Sequence, residues 1–333
     1  MAPLSPAKVQ VKELGQIALI VKDVQIVSEN YWNILGIGSW TFRAWEPPLI
    51  HDRRYKGRPA WARESLAVTA LGGVGFELCQ YIDGESIYKD FIEEHGEGLQ
   101  HMNFAVDDQD ATAEILAKQG FPSIRSGRNG PNGRTGNYIY IEPLHAVWEL
   151  VERRRGPQAA EPVRQPEPIS PAKVQVKAFG QVGIVVKDAQ AVAENYWNIL
   201  GIGPWTIYNW EAPFVYEHMY RGQPAFVKAK IAQARVGAVQ LELYQPIEGE
   251  SVYADFLAER GEGMHHIGCF VDNADETAAE MEMEGFRTVE SGRYGNNGAY
   301  CCIDIKPLRT LWQFVQRPKT MGVEPVRFPK EMA

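Results

Sequence analysis

No apolar run in this 333-residue sequence approaches the roughly 18 residues of a membrane span. The opening, MAPLSPAKVQVKELG, has neither the apolar stretch nor the small-residue cleavage site of a secretory signal, so a cytoplasmic protein is expected. Basic residues are in deficit as well, with 34 Lys and Arg against 42 Asp and Glu and a net charge of -8. That balance gives no footprint for nucleic acid or an anionic membrane surface. Cysteine is scarce: Cys79, Cys269, Cys301 and Cys302 sit in apolar strand-like segments without a CxxC spacing, which reads as buried packing thiols rather than a zinc knuckle. The glycine-rich stretches SGRNGPNGRTGN and SGRYGNNGAY do not end in GK[ST], so they read as hairpin loops and not phosphate cradles. No dinucleotide fingerprint or Ser-His-Asp order stands out.

What the sequence has instead is repetition. SPAKVQVKELGQIALIVKDVQIVSENYWNILGIGSWTF opens one half, and SPAKVQVKAFGQVGIVVKDAQAVAENYWNILGIGPWTI opens the other. The chain is a tandem duplication, with copies over 1–155 and 173–333. The charged, proline-rich stretch between them is expected to form a linker over 156–172. Within each copy, strand, helix, strand, strand, strand occurs twice: GQIALIVKD, VQIVSENYWNILG, SWTFRAW, ESLAVTAL and VGFELCQYI, then a restart at LQHMNFAVDD. The fold class is α+β, with four βαβββ units.

Side chains alternate along a strand. One face of GQIALIV therefore carries Gln16, Ala18 and Ile20, and the other carries bulky residues suited to packing. Glu77 sits mid-strand beside Gly75 and Cys79, His101 shares a face with Asn103, and Glu149 interrupts the apolar AVWELVE. A buried carboxylate without a partner costs several kcal/mol or changes its protonation, so two glutamates on such positions ask for a cation. Gln16, Glu77, His101 and Glu149 form a candidate metal set, and Gln181, Glu242, His266 and Gln313 are their counterparts. In the doublet His265-His266, alternation points His266 inward. Trp40, Arg43 and Trp45, with Trp205 and Trp210, belong to aromatic segments that suit the roof of a pocket, and Asn103 is a further candidate substrate contact.

ELCQYIDGESIYKDFIEEHGEGLQHMNFAVDD and ELYQPIEGESVYADFLAERGEGMHHIGCFVDN resemble the vicinal oxygen chelate superfamily, whose members include glyoxalase I and methylmalonyl-CoA epimerase. The resemblance spans both copies. It implies two cupped eight-stranded sheets, each made of two βαβββ units around one divalent metal, with ligands from the first and last strand of each unit. The Gln, Glu, His, Glu set of the first copy is similar to that of zinc-dependent glyoxalase I, whereas the epimerase pattern has His in place of Gln16 and Gln in place of Glu77. Zinc is the first expectation, with Mn, Co, Ni, Mg or Fe as alternatives. The implied activity is that of a metal-dependent isomerase, epimerase or lyase acting on a small, aromatic or otherwise apolar carbonyl compound through an enolate, with Glu149 as general base.

Gln313 accepts no proton at accessible pH, so the second site reads as degenerate, structural or specialised for binding. A ring-cleaving dioxygenase, which calls for two His and one carboxylate on iron, and a non-catalytic ligand-sequestering protein are the alternatives. Exchange of units between the copies and the choice between monomer and homodimer are left open by the sequence.

Overall fold

The computed structural model describes residues 4–129, 136–152 and 169–330. Most of the expected linker and the tip of the first glycine-rich loop lie outside them. No helix among the described residues is long and apolar enough to cross a membrane.

Each copy folds as one curled sheet with few helices. The first sheet runs in the order Thr41–Trp45, Ala62–Leu71, Val74–Gly84, Gln16–Ile20, Gly98–Val106, Ala146–Glu152, Asn137–Ile141, Ser123–Asn129, Ile50–Tyr55, Arg58–Pro59. Its central strand Gln16–Ile20 is parallel to Val74–Gly84 and antiparallel to Gly98–Val106, so the two βαβββ units meet at their first strands. All ten strands come from the first copy and all eleven of the second sheet from the second copy, so no unit is exchanged.

Beyond the eight expected strands, each sheet gains a hairpin, Ile50–Pro59 or Val215–Pro224. Its long strand pairs with the opposite edge, on Ser123–Asn129 or Thr288–Tyr294. The segment thus carries the chain across the mouth of the curl and deepens it into a cup. The eleventh strand of the second sheet, Val326–Phe328, comes from the tail and pairs with Trp205–Trp210.

The helix Val24–Leu35 is fixed at both ends. Asp23 accepts hydrogen bonds from the Gln25 and Ile26 N–H groups, and Gly36 ends it at φ 70°, which only glycine adopts at little cost. Asp188 and Gly201 repeat the arrangement on Ala189–Leu200.

The outer faces of the two sheets share one hydrophobic core that draws Ile17, Phe76 and Trp148 together with Ile184, Phe179 and Trp312. Tyr31 donates to the Leu308 carbonyl at 2.9 Å, and its counterpart Tyr196 donates to the Leu144 carbonyl at 3.1 Å. The repeated SPAKVQVK segments are exchanged arms. Val11 N–H reaches the Leu200 carbonyl of the second copy, and Val176 N–H reaches the Leu35 carbonyl of the first. Tyr196→Phe leaves the Leu144 carbonyl without this buried donor, and a loss of roughly 1–2 kcal/mol is expected. Urea unfolding of the whole chain measures it, and an unchanged midpoint would show that the contact contributes nothing to the junction.

Candidate functional site

Residues paired across adjacent strands project from the same face of a sheet. Gln16 lies beside Gly75 and Asn103, Ala18 beside Glu77 and His101, and Asn103 beside Glu149. Gln16, Glu77, His101, Asn103 and Glu149 therefore share the inner face of the first cup, while Ile17, Phe76, Met102 and Trp148 fill the core behind it.

Their contacts are specific. The Gln16 amide donates to Glu77 Oε2 at 2.9 Å, and Asn103 donates to Glu149 Oε2 at 3.2 Å. A β-bulge opposite Ala18 and Leu19 makes Gln100 the extra residue of its strand. The Gln100 side-chain oxygen lies 2.5 Å from His101 Nδ1. An Oε1 there accepts a hydrogen bond from Nδ1–H, which leaves Nε2 with its lone pair exposed to the cup. That Nε2 is buried, has no hydrogen-bond partner and stands 3.8 Å from Glu77 Oε2. A lone pair facing a carboxylate is repulsive unless a proton or a metal ion lies between them, and His ligands to metals commonly have their other nitrogen fixed in this way.

Cys79, two residues beyond Glu77 on the same face, places its Sγ 3.3 Å from Glu77 Oε2. The ligand atoms of Glu77, Cys79 and His101 all lie within 4.8 Å of one another, close enough to meet on one ion. The donor set fits a divalent metal, and it is richer in sulfur than the reading of Cys79 as simple packing allowed. Tyr88 and Tyr138 flank the imidazole, one stacked on it at 6.1 Å between ring centres and the other edge-on at 5.1 Å. Sequence reasoning missed both tyrosines, although ESIYKDF and ESVYADF repeat the first of them.

Burial pushes the Glu149 carboxyl above the usual carboxylate range; His101 draws it back, Glu77 adds to the rise, and hydrogen bonds from Tyr138 and Asn103 lower it again. Room for this side chain comes from Gly136, where an added Cβ would stand 2.0 Å from Glu149 Oε1. Beneath the site, Glu64 is buried between two guanidinium groups, with Arg53 at 2.6 Å and Arg125 at 2.7 Å. Arg125 also stacks on Tyr88 and Tyr138. This cluster locks the floor on which His101 rests, and no local pattern of residues signals it.

Of the residues expected to roof the site, Arg43 and Trp45 are on the inner face, in register with Leu66 and Glu64. Trp40 is not. Its indole packs on Tyr31 and Phe76 in the shared core and donates to the Ile37 carbonyl.

The second cup brings Gln181, Glu242, His266 and Gln313 together in an amide network that also places Gln181 Nε2 3.4 Å from His266 Nε2, and Glu242 Oε1 is left buried without a partner, 3.5 Å from that same nitrogen. Gln240 donates to Gln181, Gln181 to Gln313 at 2.5 Å, and Gln313 to the Tyr253 hydroxyl at 2.8 Å. Gln233 donates to Glu242 Oε2 at 2.8 Å. His266 faces inward, in register with Gly183, and its ring occupies the space that a Cβ at Gly183 would need. His265 lies instead along a cleft between the copies, whose walls are tied by His145 to Glu262 and Arg309 to Glu97.

Comparison with known proteins agrees with this architecture. A sequence model of the glyoxalase/bleomycin resistance protein/dioxygenase superfamily matches residues 15–140 and again 180–303. Over 118 residues the chain is 25% identical to the uncharacterized protein YqjC of Bacillus subtilis, covering 35% of this chain and 74% of that one. A mutant 4-hydroxymandelate synthase from Streptomyces coelicolor superposes with a TM-score of 0.58 at 14% identity, covering 94% of this chain and 95% of the other. A methylmalonyl-CoA epimerase from Mycobacterium tuberculosis aligns at 25% identity over 43% of this chain and 88% of its own, with a TM-score of 0.31. Each matched segment falls within one cup, and the chain belongs to the glyoxalase/bleomycin resistance protein/dioxygenase superfamily as a tandem member.

Proposed function

We propose that the first cup is the active site of a metal-dependent isomerase, epimerase or lyase that moves a proton beside a carbonyl group of a small substrate. The observation that carries this reading is the buried, unpartnered His101 Nε2 beside Glu77, with a carboxyl of raised proton affinity, Glu149, on the same face. Glu77 and His101 would hold the ion, with Gln16, Glu149 and the Cys79 sulfur as the remaining donors. A bound divalent ion supplies Lewis acidity, lowering the cost of negative charge on a substrate oxygen.

The chain's own groups do the rest. Glu149 accepts the proton, and burial raises its affinity toward the range in which a carboxylate is a useful base. Asn103 holds Glu149 by one oxygen and orients it, while Tyr88 and Tyr138 keep the imidazole fixed and limit water around it. Ring-cleaving dioxygenase chemistry belongs to the same superfamily, but its iron site uses two imidazoles and one carboxylate. Among the described side chains clustered about Glu77, His101 is the single imidazole.

Metal analysis by inductively coupled plasma mass spectrometry tests the proposal. Native protein reloaded after chelation should carry about one divalent ion per chain. His101→Ala should weaken its retention by roughly 100-fold, and Glu242→Gln should leave it unchanged. Protein that takes up no ion under reloading conditions would overturn the enzyme reading in favour of a ligand-binding protein.

A further inference from the structure

The second cup differs from the first in the residues that line it. It encloses a cavity of about 320 Å3 lined by Gln181, Glu242 and Gln313 at the floor and by Trp210, Tyr294 and Tyr300 on the wall. The three wall rings pack on one another with 4.8 to 6.4 Å between centres, so they present one continuous aromatic wall to a planar ring. Tyr300 stands where the first cup has Gly136, and so narrows the second cup where Glu149 fills the first.

The roof belongs to the chain's own tail. Arg317, Pro318, Lys319, Thr320 and Met321 line the cavity, Asn296 bridges to Thr320, and Val326–Phe328 adds a strand to Trp205–Trp210. Arg317 is held with its guanidinium 3.6 Å from the centre of the Phe270 ring, so a cation is fixed at the mouth beside Lys319. At the floor, amide hydrogen bonds already occupy Gln181 and Gln313, and Glu242 Oε1 is a buried acceptor without a partner.

We propose that the second cup is a metal-independent binding site for a small, planar aromatic carboxylic acid. Its ring lies against Trp210, Tyr294 and Tyr300, its carboxylate meets Arg317 and Lys319 at the mouth, and a hydroxyl on the ring donates to Glu242 Oε1 at the floor. A cationic ligand would instead meet two like charges at the entrance. The site is thus distinct from the proposed catalytic cup, and the tail from Arg317 to Phe328 is a structural roof that ties occupancy to the order of the C-terminal segment.

Isothermal titration of the full chain with 4-hydroxybenzoate in excess chelator tests this, with tyramine as the cationic counterpart and tryptophan fluorescence as a second readout. Saturable binding of the acid, unaffected by chelator and by His101→Ala, is expected. Arg317→Ala, an exposed substitution that leaves the core alone, should weaken it roughly 10- to 100-fold, the value of a charge-assisted hydrogen bond. Tyramine should not compete. Absence of saturable binding at millimolar acid, equal affinity in Arg317→Ala, or preference for tyramine would each overturn the proposal. Loss of binding in His101→Ala or with chelator would place the acid in the first cup and overturn it too, whatever the metal analysis shows there.

Discussion

Glu149→Gln is expected to slow metal-dependent exchange of a substrate proton with solvent by roughly 10²- to 10⁴-fold, the usual contribution of a positioned general base. The substitution keeps the size of the side chain and can keep its contact with Asn103, since an amide oxygen accepts as a carboxylate oxygen does. What it removes is the ability to take up a proton and one negative charge facing the proposed metal site. The second effect weakens ion binding, so exchange must be followed by deuterium incorporation at saturating metal, where only the first effect remains. A substrate panel of small carbonyl compounds with an acidic neighbouring carbon supplies the signal. Under those conditions a base predicts a fall in kcat with little change in KM, whereas a purely structural role predicts a lower melting temperature and a loss of both. Full exchange in the metal-saturated variant would remove Glu149 from the role of base.

The second copy is a naturally altered version of the same site. Where the first has Glu149 and Gly136, the second has Gln313 and Tyr300, so the loss of the carboxylate and the filling of its space go together. Cys79 is matched by Tyr244, which stacks on Tyr253 at 3.6 Å. The second cup has thus exchanged a carboxylate and a glycine for an amide and an aromatic ring, while the thiol and ring of Cys79 and Tyr138 become the ring and thiol of Tyr244 and Cys302. Chemistry that needs an ion and a base is favoured in the first cup, and enclosure of a ring in the second.

Much of this was legible in the sequence, for physical reasons. Period-two alternation placed Gln16, Glu77, His101 and Glu149 on one face, because a strand gives neighbours no choice of side. Repetition fixed the architecture, because two nearly identical strings must make nearly identical folds. Local patterns were silent where the interaction was long-range. The hairpin Ile50–Pro59 lay in a segment read only for its aromatic residues, since its arginines and histidine give no strand alternation and its pairing partner lies more than sixty residues away. The pairing of Glu64 with Arg53 and Arg125 joins three strands. Trp40 was expected at a pocket, but it stands before the strand Thr41–Trp45 begins, where alternation no longer dictates direction, and it turned into the shared core. The exchange of the SPAKVQVK arms was equally hidden, because a repeated segment carries no mark of which copy it rests on.

The clearest consequence of a long-range difference between the copies concerns Glu290. It stands where the first copy has Arg125, while the counterpart of Glu64 is Ala229, so the ion cluster of the first cup becomes a single buried acid in the second. Glu290 Oε2 accepts from the Val252 N–H at 2.7 Å, and Oε1 has no partner. Burial pushes its carboxyl up to about 8, opposed only in part by that hydrogen bond. The folded protein therefore keeps a proton that the unfolded chain releases near the ordinary 4.5. Between these values the folded state binds more protons, so stability falls as pH rises through the window and the full cost is reached above about 8. At about 1.4 kcal/mol per pH unit that cost is on the order of 5 kcal/mol.

Glu290→Gln keeps an acceptor for Val252 and never ionises. Urea unfolding at pH 5 and pH 9 should show the native protein losing several kcal/mol more than the variant between the two conditions. Other titrating groups are common to both proteins and cancel in that comparison. Parallel pH dependence in native protein and variant would mean that Glu290 is solvated or paired in the folded state, and the contrast with Arg125 would then carry no energetic weight.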